Sequence, residues 1–457
     1  MSEIMDSYQT STYERVVKKF VDLGKLSGPI VFSRVGFLLF SFVDVIMVGS
    51  YLTNSLAAIS ITHAIADTFM LIGVGMIFGV LVKSSMAVGE AKPEDAGDAM
   101  KRGVIYSFAL GLFASIGCIS ILPFLSMMGF EPSLAAEITR LMFIISIGLP
   151  AILIHINYSF FLEGLSRPTP ATLVIIVGNL LNVFLNYALV FGEFGFPEMG
   201  AEGSAWSTTV VRVFLAIALI VYVHMLMRDG NAYGVNKKTP WSWKSWQDQR
   251  NIGYGSGLSF GLEAGAFMIL ALIAGLISPV VAAATAILIN IRSLLFMIPM
   301  GIGFATSVHV GMGKGENDFK DINLSTWTGL TAGVVLTLML SLFVLIFETE
   351  ILDLYSNDPE LIKLCIPVML FLAVAMPLDA WQGIMCSALR GREDVVFPTL
   401  YHGIAFICVM VPAAWWFGMI EQGGVTGIFI AVIIGNITAT LLFTHRHIQL
   451  NGSQIKV

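Results

Sequence analysis

Charged side chains are scarce in this sequence. Asp, Glu, Lys and Arg make up 12% of its 457 residues, where a soluble globular domain carries about 25%. That supply cannot clothe a water-soluble surface, so the largest apolar surface has to face lipid, which excludes a cytosolic enzyme. A basic excess is missing too. The net charge of −6 offers no field for nucleic acid. Cysteine is sparse: Cys118, Cys365, Cys386 and Cys408 lie inside apolar runs, and none forms a CxxC pair. This argues against a disulfide scaffold and against structural zinc. His155, His309, His402, His445 and His447 show no metal-ligand spacing, and no phosphate loop or nucleophile elbow occurs. The reading is therefore not an enzyme and no bound cofactor. Residues 1–26 are polar and mixed in charge, without the apolar core and cleavage site of a signal peptide. Residues 12–26 read either as an interfacial amphipathic helix or as a solvated tail.

What the chain has in abundance is hydrophobic residues, 56% of the total. They fall into runs long enough to cross a bilayer, which takes about 20 residues as a helix. Twelve such runs are bounded by glycine, proline or charge: 27–50, 56–82, 103–124, 138–162, 171–192, 203–227, 252–277, 281–311, 324–347, 361–388, 396–418 and 424–444. Period-two alternation is absent, which excludes a β-barrel. Numbering the runs as spans 1–12, 20 of the 25 Lys and Arg residues fall on the side that holds the N-terminus. Only Arg140 and Lys363 fall on the other, and Arg34, Arg212 and Arg292 lie within spans. This bias puts both termini in the cytoplasm of a multi-pass protein of the plasma (inner) membrane.

The most polar interior stretch, 228–251, divides the spans six and six. The expected organisation is a cytoplasmic segment 1–26, an N-terminal bundle 27–228, a linker 229–251, a C-terminal bundle 252–446 and a tail 447–457. The halves also resemble each other. Leu56-Ala-Ala matches Val281-Ala-Ala, Val88-Gly-Glu-Ala matches Met312-Gly-Lys-Gly, and Gly200-x-x-Gly203 matches Gly424-x-x-Gly427, all at offsets of 224 or 225. With an even number of spans per half, the repeats run parallel, a topology that places substrate between the bundles. The fold expected is all-α, with twelve transmembrane helices in two pseudo-symmetric six-helix bundles. One chain suffices for that symmetry, so a monomer surrounded by membrane lipids is the expected state.

Several charges lie where a membrane protein should avoid them. An acid at mid-span costs about 2.5–3.5 kcal/mol on insertion scales, so such residues are functional candidates. They are Asp44 in span 1, Glu263 in span 7, Asp379 in span 10 just after Pro377, and Asp67 in span 2, one turn from His63 on the same face. A carboxyl removed from water holds a proton more tightly. It can exchange a proton or a sodium ion and so couple an ion gradient to movement. Asn179, Asn182 and Asn186 in span 5 are spaced by three and four and share one face. Amides on such a face can take part in holding a cation or a carboxyl proton, or they can glue helices together. Arg292 in span 8 needs a carboxylate partner, with Glu263 and Asp379 as candidates. Such pairing would keep the carboxylate ionised and discourage sodium there. Glu163 and Arg167 have helical spacing at the end of span 4 and read as an interfacial ion pair. The 23 methionines and 32 phenylalanines line a greasy pocket or face lipid.

These pieces together resemble the multidrug and toxic compound extrusion (MATE) transporters, especially the bacterial NorM-like branch. The resemblance rests on Phe42-Val-Asp44 with Met47-Val-Gly49, Asn182-x-x-x-Asn186 with Phe191-Gly, and the segment Gly200 to Thr208. It rests further on Phe260-Gly-Leu-Glu263, the segment Phe296 to Gly303, Asp379-Ala-Trp-Gln, Leu389-Arg-Gly and Asp394. It implies a V-shaped central cavity that opens alternately to either side. It implies export of small amphipathic, often cationic, drugs in exchange for protons, sodium or both. Asp44 would be the proton- or cation-linked residue, accompanied by Asn182, Asn186 and Thr208. Glu263 and Asp379 would form a C-terminal cation site, the candidate place for Na+. Asn179 and Asp67 are secondary candidates. Two residues depart from the family pattern. Asn186 stands where many relatives carry Asp, and Arg292 is unexpected in a sodium-coupled member. The alternative reading is a flippase for lipid-linked precursors on a related architecture. A flippase would line its cavity with basic residues for pyrophosphate, whereas buried acids outnumber Arg34, Arg212 and Arg292 here.

Overall fold

Within hydrocarbon a backbone has to satisfy its own hydrogen bonds, and a helix does so inside one segment. The computed structural model describes residues 2–51, 53–125, 131–239, 242–356 and 358–454, and no strand occurs among them. Each of the twelve runs is helical. In order, the spans are Tyr13–Tyr51, Ser55–Gly89, Glu94–Phe124, Pro132–Gly164, Thr169–Phe191, Ala201–Leu226, Trp243–Ile277, Pro279–Gly315, Phe319–Ile346, Pro359–Gly391, Val396–Ile420 and Gly424–Gly452. Mid-helix side chains such as Phe113 (70% exposed) and Leu180 (68% exposed) stand open. Water does not tolerate so much apolar surface, and lipid does.

The helices run past the apolar segments at their polar ends. Span 1 begins well before residue 27, because its polar stretch packs rather than trailing in solvent. Leu23 and Leu26 are buried, and Lys19 Nζ meets Asp321 Oδ2 at 2.7 Å. Residues 19–26 are therefore packed helix rather than a solvated tail, and residues 13–18 continue that helix with most side chains exposed.

The chain forms two compact units, Phe32–Gly257 and Leu258–Val457 together with Met1–Val31. The divisions fall inside spans 1 and 7 rather than at 27 and 252. Residues 229–251 go with the N-terminal unit, because they are bound to it at several points. Lys101 Nζ donates to the Gly234 carbonyl at 2.8 Å, Thr239 Oγ1 to Asp98 at 2.7 Å, and Gln249 Nε2 to the Ala99 carbonyl at 2.9 Å. Gly234 has a φ of +69°, and a Cβ there would lie 2.2 Å from the Glu94 carbonyl oxygen. Only glycine fits both constraints.

The two units repeat one packing scheme. In the first, span 4 packs on spans 2, 3 and 6, and span 5 packs on span 6. In the second, span 10 packs on spans 8, 9 and 12, and span 11 packs on span 12. The likeness extends to single hydrogen bonds. Pro150 in span 4 has no N–H to give the carbonyl four residues earlier, Ser146, and the helix breaks at Gly148. Ser115 of span 3 repairs the loss by donating its hydroxyl to the Ser146 carbonyl at 2.7 Å. In the other unit Pro377 of span 10 frees the Ala373 carbonyl. Ser341 of span 9 donates to it at 2.8 Å.

Candidate functional site

In the N-terminal unit spans 1, 2, 5 and 6 converge on one carboxylate. Asp44 lies seven residues from the outer end of span 1, about 10 Å along the helix at its usual rise, and is fully buried. Asn186 Nδ2 donates to its Oδ1 at 2.8 Å and Asn182 Nδ2 to the same oxygen at 3.2 Å. Thr208 donates its hydroxyl to Oδ2. His63 Nε2 lies 3.2 Å from Oδ2. Spacing explains the amide pair: residues four apart on span 5 meet the same face of span 1. Ser207 completes the cluster. It receives both amides at 3.1 and 3.4 Å and donates to the Asn182 carbonyl at 3.2 Å. The side-chain oxygens of Asn182 and Asn186 find no hydrogen-bond partner. A fully buried carboxylate is thus held by neutral donors and one histidine, with no Lys or Arg in contact with it among the described residues.

Asp44, Asn182, Asn186 and Thr208 are brought together, and two other candidates are not. Asn179 donates to the Gly36 carbonyl at 3.1 Å and to the Ile175 carbonyl at 3.0 Å, so it glues span 5 to span 1. Asp67 is 39% exposed and lies 4.0 Å from Arg212 Nη2. His63 and Ser207 were missed. His63 was noted only for its spacing to Asp67. Its depth carried the signal: eight residues below the start of span 2, it sits level with Asp44.

The expected pairing of Glu163 with Arg167 is wrong. Glu163 is buried and accepts two bonds from Arg34 Nη2, both 2.8 Å, and one from Ser159 at 2.8 Å. Arg167 reaches Asp229 at 2.7 Å instead. Desolvating a guanidinium and a carboxylate demands close contact, which the exposed Arg167 cannot give.

In the C-terminal unit spans 7, 8 and 10 supply a different arrangement. Arg292 Nη2 donates to Asp379 Oδ1 at 2.7 Å, its Nε lies 2.5 Å from Oδ2, and Glu263 Oε1 is 3.5 Å from Nη2. Phe267 flanks the guanidinium, its ring centroid 3.9 Å from Cζ. Both candidate partners of Arg292 are therefore real neighbours, and the permanent cation lies against the carboxylates proposed for sodium. Glu263, Phe296, Gln382, Arg390 and His402 also line a small cavity of about 20 Å³. No group of three or more His, Cys, Asp or Glu able to hold a metal ion occurs among the described residues.

Known proteins share this frame. The family model described as MatE matches residues 29–188 and 256–416, one segment in each half. A probable multidrug resistance protein NorM of Caulobacter vibrioides is 32% identical over 426 residues, covering 93% of this chain and 90% of that protein. The multidrug resistance protein NorM of Aliivibrio fischeri is 29% identical, covering 97% of each. A crystal structure of a eukaryotic MATE transporter superposes with a TM-score of 0.87 at 18% identity, over 95% of this chain and 96% of that one. An outward-facing multidrug resistance transporter of the same family superposes with 0.87 at 19%, again over 95% and 96%. At such identities the structures speak for the fold alone.

Proposed function

The chain belongs to the MatE family, and on that premise we propose that this multidrug efflux transporter exports small amphipathic, often cationic, compounds in exchange for protons. It is a multi-pass membrane protein and not an enzyme. We place both termini in the cytoplasm, on the charge bias of the loops, and take the monomer as the working unit.

The observation that carries proton coupling is the company Asp44 keeps. Ionised, it accepts bonds from Asn182, Asn186 and Thr208. A bond to a charged group contributes about 1.5–3 kcal/mol. Protonated, it becomes a donor at one oxygen and offers the three partners a neutral acceptor in place of a charged one. The Thr208 hydroxyl oxygen and His63 Nε2, both against Oδ2, are acceptors within reach of the new O–H. Protonation thus weakens the hold of span 1 on spans 5 and 6 by a few kcal/mol. Driving a two-state equilibrium from one side to the other takes about 5.5 kcal/mol, so two such bonds bring the change within range. Exchange of states by this route constitutes alternating access, with the inward proton gradient supplying direction. Sodium fits the second cluster less well, because Arg292 already supplies the positive charge.

Ethidium transport in proteoliposomes, driven separately by a pH step and by a sodium step, tests the reading. A response to the pH step alone is expected. Transport driven by sodium and indifferent to pH would reverse the assignment.

A further inference from the structure

We propose that His63 is the proton-exchange partner of Asp44: the proton taken up by the carboxyl passes to the imidazole, which returns it to water. The idea rests on the reading of proton coupling and adds a residue and a step to it.

Three observations carry it. First, Asp44 has no exposed surface, so its proton has to travel through a neighbour. Asn182, Asn186 and Thr208 cannot take an additional charge near neutral pH, and His63 can. Second, His63 Nε2 is 3.2 Å from Oδ2, within reach of one proton transfer. Third, His63 Nδ1, the nitrogen turned away from Asp44, makes no hydrogen bond. Other buried histidines are committed. His155 Nδ1 bonds the Leu215 carbonyl at 3.2 Å. His402 joins Ser259 through Nδ1 and Gln382 through Nε2. A hydrogen bond at the second nitrogen fixes the tautomer, and His63 is free of that constraint.

The step balances as follows. The Asp44 O–H bond breaks and a bond forms at Nε2, which leaves a carboxylate beside an imidazolium whose Nδ1 proton is unchanged. When span 1 withdraws, the Nε2 proton goes to water and the neutral ring is restored in its starting tautomer. The ionisable groups on the packed elements are Asp67 one turn along span 2, Arg212 on span 6 and Cys118 on span 3. Arg212 lies 4.0 Å from Asp67, which offsets part of its charge, and it also feels the charge of Asp44.

The test compares wild type with His63→Gln in ethidium transport under a pH step, after gel filtration has shown the variant to be folded. Expected are at least a tenfold slower proton-driven rate and a changed pH profile of transport. A variant with the wild-type rate and profile would overturn the proposal while leaving proton coupling intact. Wild type indifferent to the pH step would overturn both. Should His63→Gln not fold, histidine-selective nitrogen-15 spectra of wild type and Asp44→Asn decide. One histidine midpoint is expected to move when Asp44 loses its charge, and identical titrations would refute the pairing.

Discussion

The two units share a packing scheme, yet they hold their intramembrane charges in opposite ways. In the N-terminal unit Asp44 is bound by two amides, a hydroxyl and a histidine. In the C-terminal unit Asp379 is bound by Arg292 through two close contacts, with Glu263 at its edge. Neutral donors reward the charged state of a carboxylate without making it permanent. A guanidinium stays charged at any working pH, so Asp379 loses a strong partner if it takes a proton. One fold thus supports a carboxylate held by neutral donors and a histidine and a carboxylate held by a guanidinium. The N-terminal unit contains both kinds, because its Arg34–Glu163 pair is the counterpart in character of Arg292–Asp379.

The largest effect should come from removing the cycling charge. Asp44→Asn puts a neutral amide where Asn182, Asn186 and Thr208 donate to a charge. Expression should persist, because a buried charge has been removed. Proton-driven ethidium efflux should fall by at least about a hundredfold, roughly the worth of one or two charge-assisted bonds. Undiminished drug resistance in cells carrying this variant would break the contrast between the units at its root.

Next in size is removal of the locking cation. Arg292→Ser leaves Asp379 and Glu263 without it, and breaking a buried pair costs about 3–5 kcal/mol. Thermal unfolding in detergent should shift down accordingly. Sodium should restore part of the loss in the variant and leave wild type unmoved, since the vacated carboxylates become the kind of site a small cation can enter. A midpoint that does not move on substitution would mean the guanidinium contributes nothing to holding spans 8 and 10 together.

Within the Asp44 cluster the amides should rank by distance. Asn186→Ala loses the 2.8 Å bond and Asn182→Ala the 3.2 Å bond. Asn186→Ala should slow proton-driven transport by more than tenfold, on the scale of about 1.5–3 kcal/mol for a bond to a charge, and Asn182→Ala by less. Equal rates would place the grip on span 1 elsewhere.

Much of this is legible in the amino-acid sequence. Span number and the repeat follow from apolar runs and fixed offsets, because hydrocarbon permits few backbone solutions. Asn182 and Asn186 could be paired from helical spacing. Partners across the bundle could not be found this way. Spacing reports which residues share a face of one helix, and says nothing of which way that face turns. Glu163 therefore seemed to belong to Arg167 four positions on, while its real partner Arg34 lies 129 residues away. Asp67 likewise drew attention to His63, whose ring lies against span 1. Depth was the unused clue, since residues on neighbouring spans at one level are the ones able to meet.

The smallest predicted effect tests the sameness of the units rather than their difference. Ser115 and Ser341 each mend the carbonyl freed by a proline in the following span. Each mutation to alanine strips a buried carbonyl of its donor and should cost about 1 kcal/mol. Ser115 also bonds the Gly111 carbonyl within its own helix at 2.8 Å, so its hydroxyl is shared. Ser341→Ala should therefore destabilise at least as much as Ser115→Ala in thermal unfolding. Neither carbonyl touches a charged cluster, so the pH profile of transport should stay as in wild type in both variants. A shifted profile in Ser115→Ala alone would tie the proline break of span 4 to the Asp44 cluster. The N-terminal unit would then differ from its twin in its moving parts as well as in its charges.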